Sequence, residues 1–169
     1  MMKTNHGFAY AYNAQAVVDE HAQVVLAAEV TQEAGDVNQL LPMVELTEEN
    51  LHAAGLEGSP RTLLADAGYC SGDNLEAAED LAPDVLLATG RQRHGETFQK
   101  TPRGPIRRDA TRRERMARRL RTKKGRADYA RRKAIVEPAF GQVKVRQHAG
   151  QLRLRGLAGA RGEWTLHMI

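Results

Sequence analysis

The pattern of β-branched residues near the start of the chain predicts a β-hairpin. Two runs rich in β-branched residues, YNAQAVVD at 12–19 and QVVLAAEV at 23–30, are separated by only three residues. Such spacing is typical of two antiparallel strands joined by a short turn. Asp36, with Gln39 three residues later, resembles a capping box. It predicts a helix whose regular part begins near Pro42, because proline is tolerated in a first helical turn.

The next stretch predicts two buried strands with a helix between them. TLLA at 62–65 is a short apolar run that leads directly into Asp66, and DVLLATG at 84–90 is a second such run. Between them, Ser71 is a suitable N-cap for a helix over 73–81. The resulting order of strand, strand, helix, strand, helix, strand predicts an α/β fold.

The second half of the chain has a different pattern. Residues 91–110 show no apolar period and predict a mobile loop. Residues 100–126 contain thirteen Lys or Arg and predict a basic helix. A longer helix is predicted over 127–146, where apolar residues recur at helical spacing, with a kink at Pro138.

Composition limits the protein to a few classes. The chain has 169 residues, of which 41% are hydrophobic and 27% charged, as expected for one globular domain. No apolar run approaches the roughly 20 residues that span a bilayer, and the first residues lack the apolar core of a signal peptide. A single cysteine, Cys70, excludes an internal disulfide and a Cys-based zinc site. We therefore expect a cytoplasmic protein without a membrane partner.

Charge is divided sharply between the two halves of the chain. Residues 1–90 hold two basic and fifteen acidic residues, whereas residues 91–169 hold twenty-three basic and six acidic ones. Clustered Lys and Arg neutralise phosphates and release their counterions, so the basic half favours a polyanion partner. The alternative interpretation is a solvated basic tail.

Two carboxylates stand out as candidates for chemistry. Asp66 follows a buried strand, and active sites of open α/β sheets lie at the carboxyl ends of strands. Glu137 lies in a basic helical segment, seven residues before Lys144, so that both would project in nearly the same direction. Such a pair could hold a metal ion and a phosphate side by side. The alternatives are an ordinary turn aspartate at Asp66 and a solvated ion pair between Lys133 and Glu137.

Several separated blocks together resemble the DDE transposases of bacterial insertion sequences. The blocks are YNAQAVVD at 12–19, EVTQEAGDVNQLLPM at 29–43, LADAGYCS at 64–71, YARRKAIVEPAFGQVK at 129–144 and LRGLAGARGEW at 154–164. The resemblance implies an α/β, RNase H-like fold, with a mixed sheet flanked by helices and a basic loop and helix inserted. It also implies three parts: an acidic core part (1–90), a basic loop and helix (91–126), and a C-terminal helix with the remaining core (127–169).

The same resemblance assigns roles to individual residues. Asp66 corresponds to the second acidic residue of the catalytic triad and Glu137 to the third, and both would be metal ligands. Tyr129, Arg132 and Lys144 correspond to the Tyr, Arg and Lys of the signature around that glutamate, and would contact DNA. Because four residues rather than three separate Arg132 from Glu137, Lys133 is a competing candidate. Further DNA contacts are expected from the basic block, at Arg112, Arg113, Arg118 and Arg119.

The first acidic residue of the triad has no counterpart. In this group it lies on the first strand of the sheet, and here no aspartate precedes Asp19, which matches the end of the second strand instead. We therefore expect a transposase truncated at its N-terminus and at its short C-terminal end, with the first strand missing. Such a chain would bind metal weakly and cut little or no DNA by itself.

The chemistry implied by the resemblance is metal-dependent phosphoryl transfer. Two Mg²⁺ ions, or Mn²⁺ in their place, would activate the nucleophile and stabilise the leaving oxygen. The implied partners are the terminal repeats of the transposon and target DNA, with a homodimer considered for the complete enzyme, in the cytoplasm of a bacterium and on its nucleoid when bound to DNA.

Two other interpretations remain open. The first is a non-catalytic nucleic-acid-binding protein that uses its Arg-rich segment. The second is a phosphate-binding metabolic enzyme. The lack of a Gly-rich phosphate loop argues against this interpretation. Trp164 lies in an apolar context and is interpreted as a core residue rather than a base-stacking one.

Overall fold

The computed structural model describes residues 2–4, 7–90 and 101–169. The chain folds as two compact units. Unit 1 combines residues 1–58 with residues 133–169, and unit 2 consists of residues 59–132. The division of the chain into 1–90, 91–126 and 127–169 stays a prediction.

Unit 1 contains two antiparallel strand pairs. The strands are β1 (Met2–Thr4), β2 (Gly7–Ala9), β3 (Asn13–Val18) and β4 (Val25–Thr31). β1 pairs with β2, and β3 pairs with β4. The predicted hairpin is therefore confirmed. Its turn is closed by Asp19, whose Oδ2 accepts hydrogen bonds from the backbone N–H groups of His21 and Ala22 at 2.9 and 2.7 Å.

Helix α1 (Leu40–Ala53) follows a 3₁₀ turn at Val37–Gln39 and has Pro42 in its first turn. The predicted capping box is wrong, because the side chain of Asp36 makes no cap hydrogen bond. Its Oδ1 instead accepts from Nδ2 of Asn13 at 2.8 Å and from Nε2 of Gln15 at 2.9 Å. Asp36 thus ties the chain before α1 to strand β3.

Helix α5 (Gly156–Met168) completes the core of unit 1. The buried core residues are Val30, Val143, Ala160, Trp164 and Met168. The ring of Phe140 packs against Trp164, with centroids 5.6 Å apart. Trp164 is only 4% exposed, so its interpretation as a core residue is confirmed.

Unit 2 is built on a parallel strand pair, β5 (Thr62–Ala65) and β6 (Asp84–Leu87). Helix α2 (Gly72–Ala77) connects them, and the hydroxyl of Ser71 caps it by accepting from the N–H of Asn74 at 3.0 Å, as predicted. α2 is shorter than the predicted 73–81, because the chain tightens beyond it: the N–H groups of Glu79 and Asp80 bond back only three residues.

Two helices follow in the basic part of the chain, α3 (Arg112–Arg121) and α4 (Lys123–Gly141). Pro138 lies inside α4, and a π-helical turn at Gln142–Arg146 follows it. The boundary between the two units falls within α4, after Arg132. The predicted loop at 91–110 lies partly outside the described residues, which resume at Thr101.

The strands of the described residues form three two-stranded sheets. The protein is therefore a mixed α/β structure, although these strands do not form the continuous mixed sheet that was expected. Within the same residues, no helix is both long enough and apolar enough to cross a membrane.

Candidate functional site

Asp66 lies where the sequence predicts it, at the carboxyl end of β5 in unit 2. It caps a 3₁₀ turn at Ala67–Tyr69, and its Oδ1 accepts a hydrogen bond from the N–H of Gly68 at 2.7 Å. Within the described parts of the chain, no hydrogen bond or ion pair reaches Oδ2. One oxygen thus fixes the orientation of the carboxylate, and the other is available to a ligand.

Tyr129 and Arg132, both on α4, belong to the same unit as Asp66. The guanidinium of Arg132 lies over the ring of Tyr129, with Cζ 5.6 Å from the ring centroid. Burial raises the pKa of the Tyr129 hydroxyl above its ordinary value of 10.0. The positive charge of Arg132 opposes this shift, and the negative charge of Asp66 adds to it. In unit 2, Tyr129 therefore lies within electrostatic range of both Asp66 and Arg132.

Arg132 has one polar group without a partner. Its Nε is buried and makes no hydrogen bond with any residue that the structure describes. Leaving a buried N–H unpaired is costly, so such a group is well suited to donate to a ligand oxygen. Lys133, the competing candidate, is exposed and lies in unit 1.

Glu137 and Lys144 lie in unit 1. Glu137 is exposed, and among the described residues it forms no ion pair with Lys133 or with Lys144. The alternative of a solvated Lys133–Glu137 pair is thus not realised. Lys144 belongs to the π-helical turn, and its Nζ lies over the ring of Phe140, 5.8 Å from the centroid.

The geometry between Glu137 and Lys144 differs from the regular helix assumed in the prediction. The α-helix ends at Gly141, and the backbone then bonds five residues apart, as shown by the 3.1 Å contact from the N–H of Gln147 to the carbonyl of Gln142. The seven positions from Glu137 to Lys144 therefore do not form two regular α-helical turns. The reason for expecting the two side chains to project in the same direction no longer applies.

No group of three or more Asp, Glu, His or Cys side chains that could hold a metal ion is found among residues 2–4, 7–90 and 101–169. Asp66 and Glu137 belong to different units. Each offers the hard carboxylate oxygens that Mg²⁺ and Mn²⁺ prefer. Oδ2 of Asp66 and the unpaired carboxylate of Glu137 fit such an ion as single ligands.

The arginines that were predicted to contact DNA have partners inside unit 2. Arg112 forms ion pairs with Glu76 and Glu79, both at 3.3 Å. Arg113 donates to the carbonyl of Thr89, through Nη2 at 2.8 Å.

The other two predicted arginines are also engaged. Arg118 donates to the carbonyl of Gly104. Arg119 pairs with the carboxylate of Asp84 and donates to the carbonyl of Val85 at 3.3 Å. Helix α3 is thus held on α2 and β6 by its own arginines.

Sequence reasoning missed the acidic partners of α3. Glu76 and Glu79 are spaced three residues apart at the end of α2, and Asp84 opens β6. The available signal was this i, i+3 spacing of carboxylates in the acidic half, which places them on one side of a helical segment. The sequence did not predict that these carboxylates pair with the arginines of α3, because 33 or more positions separate the paired residues along the chain.

Comparison with known proteins gives one match. A family model described as the transposase DDE domain matches residues 2–169. No curated protein matches the chain, and no solved structure matches it.

Proposed function

The chain belongs to the transposase DDE domain family, and from this premise we propose that it binds transposon-end DNA and supplies Asp66 and Glu137 to metal-dependent phosphoryl transfer in DNA transposition. The observation that carries the proposal is the arrangement around Asp66. A carboxylate with one uncommitted oxygen lies at a strand end, in electrostatic range of Tyr129, and Tyr129 stacks on an arginine whose buried Nε has no hydrogen-bond partner among the described residues. Such a site combines a metal ligand with a phosphate ligand.

Each residue of the site has a role in this proposal. Asp66 and Glu137 would each offer carboxylate oxygens to a divalent ion. Such an ion, when bound, activates the attacking oxygen and stabilises the leaving one. The Nε of Arg132 donates to a phosphate oxygen of the DNA and so gains the hydrogen bond that it lacks.

Tyr129 holds the Arg132 guanidinium in place by stacking against it. Lys144 contacts a second phosphate, as a point charge on a flexible stem. Lys133, which is exposed and belongs to unit 1, adds a further contact with the DNA backbone.

The basic block contributes affinity for DNA without reading its sequence. Phosphate contacts by arginine position a protein on the duplex, whereas contacts with base edges specify the sequence. The proposed set in this block consists of Arg112, Arg113, Arg118 and Arg119. Their present partners are carbonyls and exposed carboxylates, which phosphates can replace.

Activity of the chain by itself is proposed to be low. Only two of three expected carboxylates are identified, and in the described residues neither belongs to a group of three potential metal ligands. Fewer carboxylate ligands mean weaker binding of a hard divalent cation. We therefore expect weak metal affinity, little or no strand cleavage, and DNA binding that persists without metal.

A metal titration tests the proposal. Mn²⁺ binding would be followed by electron paramagnetic resonance in the presence of the DNA that flanks the gene encoding this chain. The variants Asp66→Asn and Glu137→Gln should each weaken Mn²⁺ binding, whereas Asp73→Asn, an exposed carboxylate elsewhere in unit 2, should not. Any cleavage seen with Mn²⁺ should be lost in the same two variants.

One result would favour the other candidate function. If the parent chain binds DNA and neither Asp66→Asn nor Glu137→Gln changes Mn²⁺ binding or cleavage, the protein is a non-catalytic nucleic-acid-binding protein. Helix α3, which is rich in arginine, would then be its main DNA-binding element.

A further inference from the structure

Arg112 lies between two carboxylates of the same unit. Its Nη2 is 3.3 Å from Oε1 of Glu76, and its Nε is 3.3 Å from Oε2 of Glu79. The three side chains are 47%, 64% and 56% exposed. The guanidinium thus donates from Nη2 to one acid and forms an ion pair through Nε with a second acid at the protein surface.

These contacts use the groups that would otherwise bind DNA. A guanidinium presents its N–H donors in a planar fork that fits carboxylate and phosphate oxygens equally well. While Glu76 and Glu79 hold the fork, Arg112 has no free pair of donors on that side for a phosphate. A phosphate can bind bidentately to the Nε and Nη2 edge of Arg112 only when the carboxylates are displaced from it.

Displacement is feasible because the contacts are exposed. Exposed ion pairs contribute little to the stability of a protein in water, and salt weakens them further. A DNA duplex presents closely spaced phosphates, and each arginine that binds one releases condensed counterions. Binding to DNA therefore favours the replacement of the two carboxylates by phosphates at Arg112. Breaking the two ion pairs reduces the free energy that this binding gains.

We propose that Glu76 and Glu79 form an internal competitor that restrains Arg112 from binding phosphate until a DNA backbone displaces them. This inference rests on the proposed function, since it concerns the DNA contacts of that function. The competitor lowers the affinity of the protein for any duplex that cannot offer phosphates at the position of Arg112. It therefore weakens indiscriminate binding more than binding in the productive orientation.

The test measures affinity for a fluorescein-labelled duplex of random sequence as a function of salt concentration. The variant is Glu76→Gln with Glu79→Gln, which keeps the shape of both side chains and removes their charge. The matched control is Asp73→Asn with Asp80→Asn. It removes the same charge from α2 and the turn after it, at residues that make no ion pair with the described part of the chain.

The first variant should bind the duplex up to about fivefold more tightly, with a salt slope steeper by about one phosphate contact. The control should gain less than about twofold, because its charges act only through the long-range field. In an Arg112→Gln background, the gain from Glu76→Gln with Glu79→Gln should disappear. This dependence on Arg112 separates local competition from a change in total charge.

Two results would overturn the inference while leaving DNA binding by the parent chain intact. One is an equal gain in the control, and the other is a gain that persists without Arg112. Absence of DNA binding by the parent and by every variant would remove the proposed function itself, and the inference with it. Thermal unfolding of each variant confirms that the compared proteins are folded.

Discussion

The indole Nε1 of Trp164 donates a hydrogen bond to the backbone carbonyl of Gln15 over a distance of 3.0 Å. The two residues are 149 positions apart in the chain. The contact attaches α5 to β3, and the ring of Phe140 covers the same indole. One side chain therefore joins the C-terminal helix, the hairpin and the end of α4, which carries Glu137, within a single core.

Trp164→Phe should destabilise unit 1 by about 1 to 3 kcal/mol, because it removes a buried hydrogen bond and leaves part of the indole volume empty. Urea unfolding followed by circular dichroism measures this change. Leu166→Ala is the control on the same helix, since Leu166 is 71% exposed and its loss should cost less than about 0.5 kcal/mol. Equal effects of the two substitutions would show that the indole contact contributes nothing specific.

Asp36→Ala should destabilise the protein by about 1 to 3 kcal/mol. The side chain of Gln15 is buried, and its Nε2 donates both to Asp36 and, at 2.8 Å, to Oδ1 of Asn13. Loss of the carboxylate removes the acceptor that the side-chain amides of Asn13 and Gln15 share. Asp36→Asn keeps an acceptor oxygen and should cost less than half as much in urea unfolding. If both variants unfold alike, the network does not depend on this acceptor.

Local patterns predicted the elements whose signals lie within a few residues of one another. Runs rich in β-branched residues predicted β3 and β4, a short apolar run predicted β5 with Asp66 after it, and the hydroxyl of Ser71 predicted the start of α2. Asp36 shows where this reasoning fails. Its spacing from Gln39 indicated a cap, but the amides of Asn13 and Gln15, more than twenty positions away, take the carboxylate instead.

The candidate site residues stay predictions. Sequence reasoning identified Asp66, Tyr129 and Arg132 as candidates, and in unit 2 Tyr129 stacks on Arg132 and lies within electrostatic range of Asp66. The partners of the α3 arginines could not be predicted, because their pairing depends on how α3 packs against α2 and β6 rather than on spacing along the chain. Likewise, the π-helical turn before Arg146 has no signature in apolar periodicity.

Acid should weaken the attachment of α5 through Glu163. Hydrogen bonds from the backbone N–H groups of Leu154 and Arg153, at 2.7 and 2.8 Å to Oε2, hold the pKa of Glu163 below its ordinary value of 4.5. The imidazole of His167 acts in the same direction. Because the unfolded chain then binds the proton more readily, the stabilisation is complete above about pH 4.5 and is lost as the pH falls through the lower pKa of the folded state.

Glu163→Gln tests this dependence. The variant should be less stable than the parent near neutral pH, and the difference between their urea midpoints should shrink steadily as the pH falls below about 4.5. The measurement is a series of urea titrations across the acid range. A difference that stays constant with pH would show that the charge of the carboxylate plays no part and that only its shape matters.

The junction between α3 and α4 depends on the absence of a side chain at Gly125. A Cβ at this position would lie 2.1 Å from the carbonyl oxygen and 2.9 Å from the carbonyl carbon of Arg119, both backbone atoms that cannot rotate away. Gly125→Ala should therefore destabilise the protein by about 1 to 3 kcal/mol through forced backbone movement. Gly141→Ala is the control at the other end of α4, where a Cβ meets no atom within 4 Å, and it should be neutral or stabilise by up to about 1 kcal/mol. Urea unfolding of both variants decides the matter, since a stable Gly125→Ala protein would mean that α3 and α4 do not approach each other this closely.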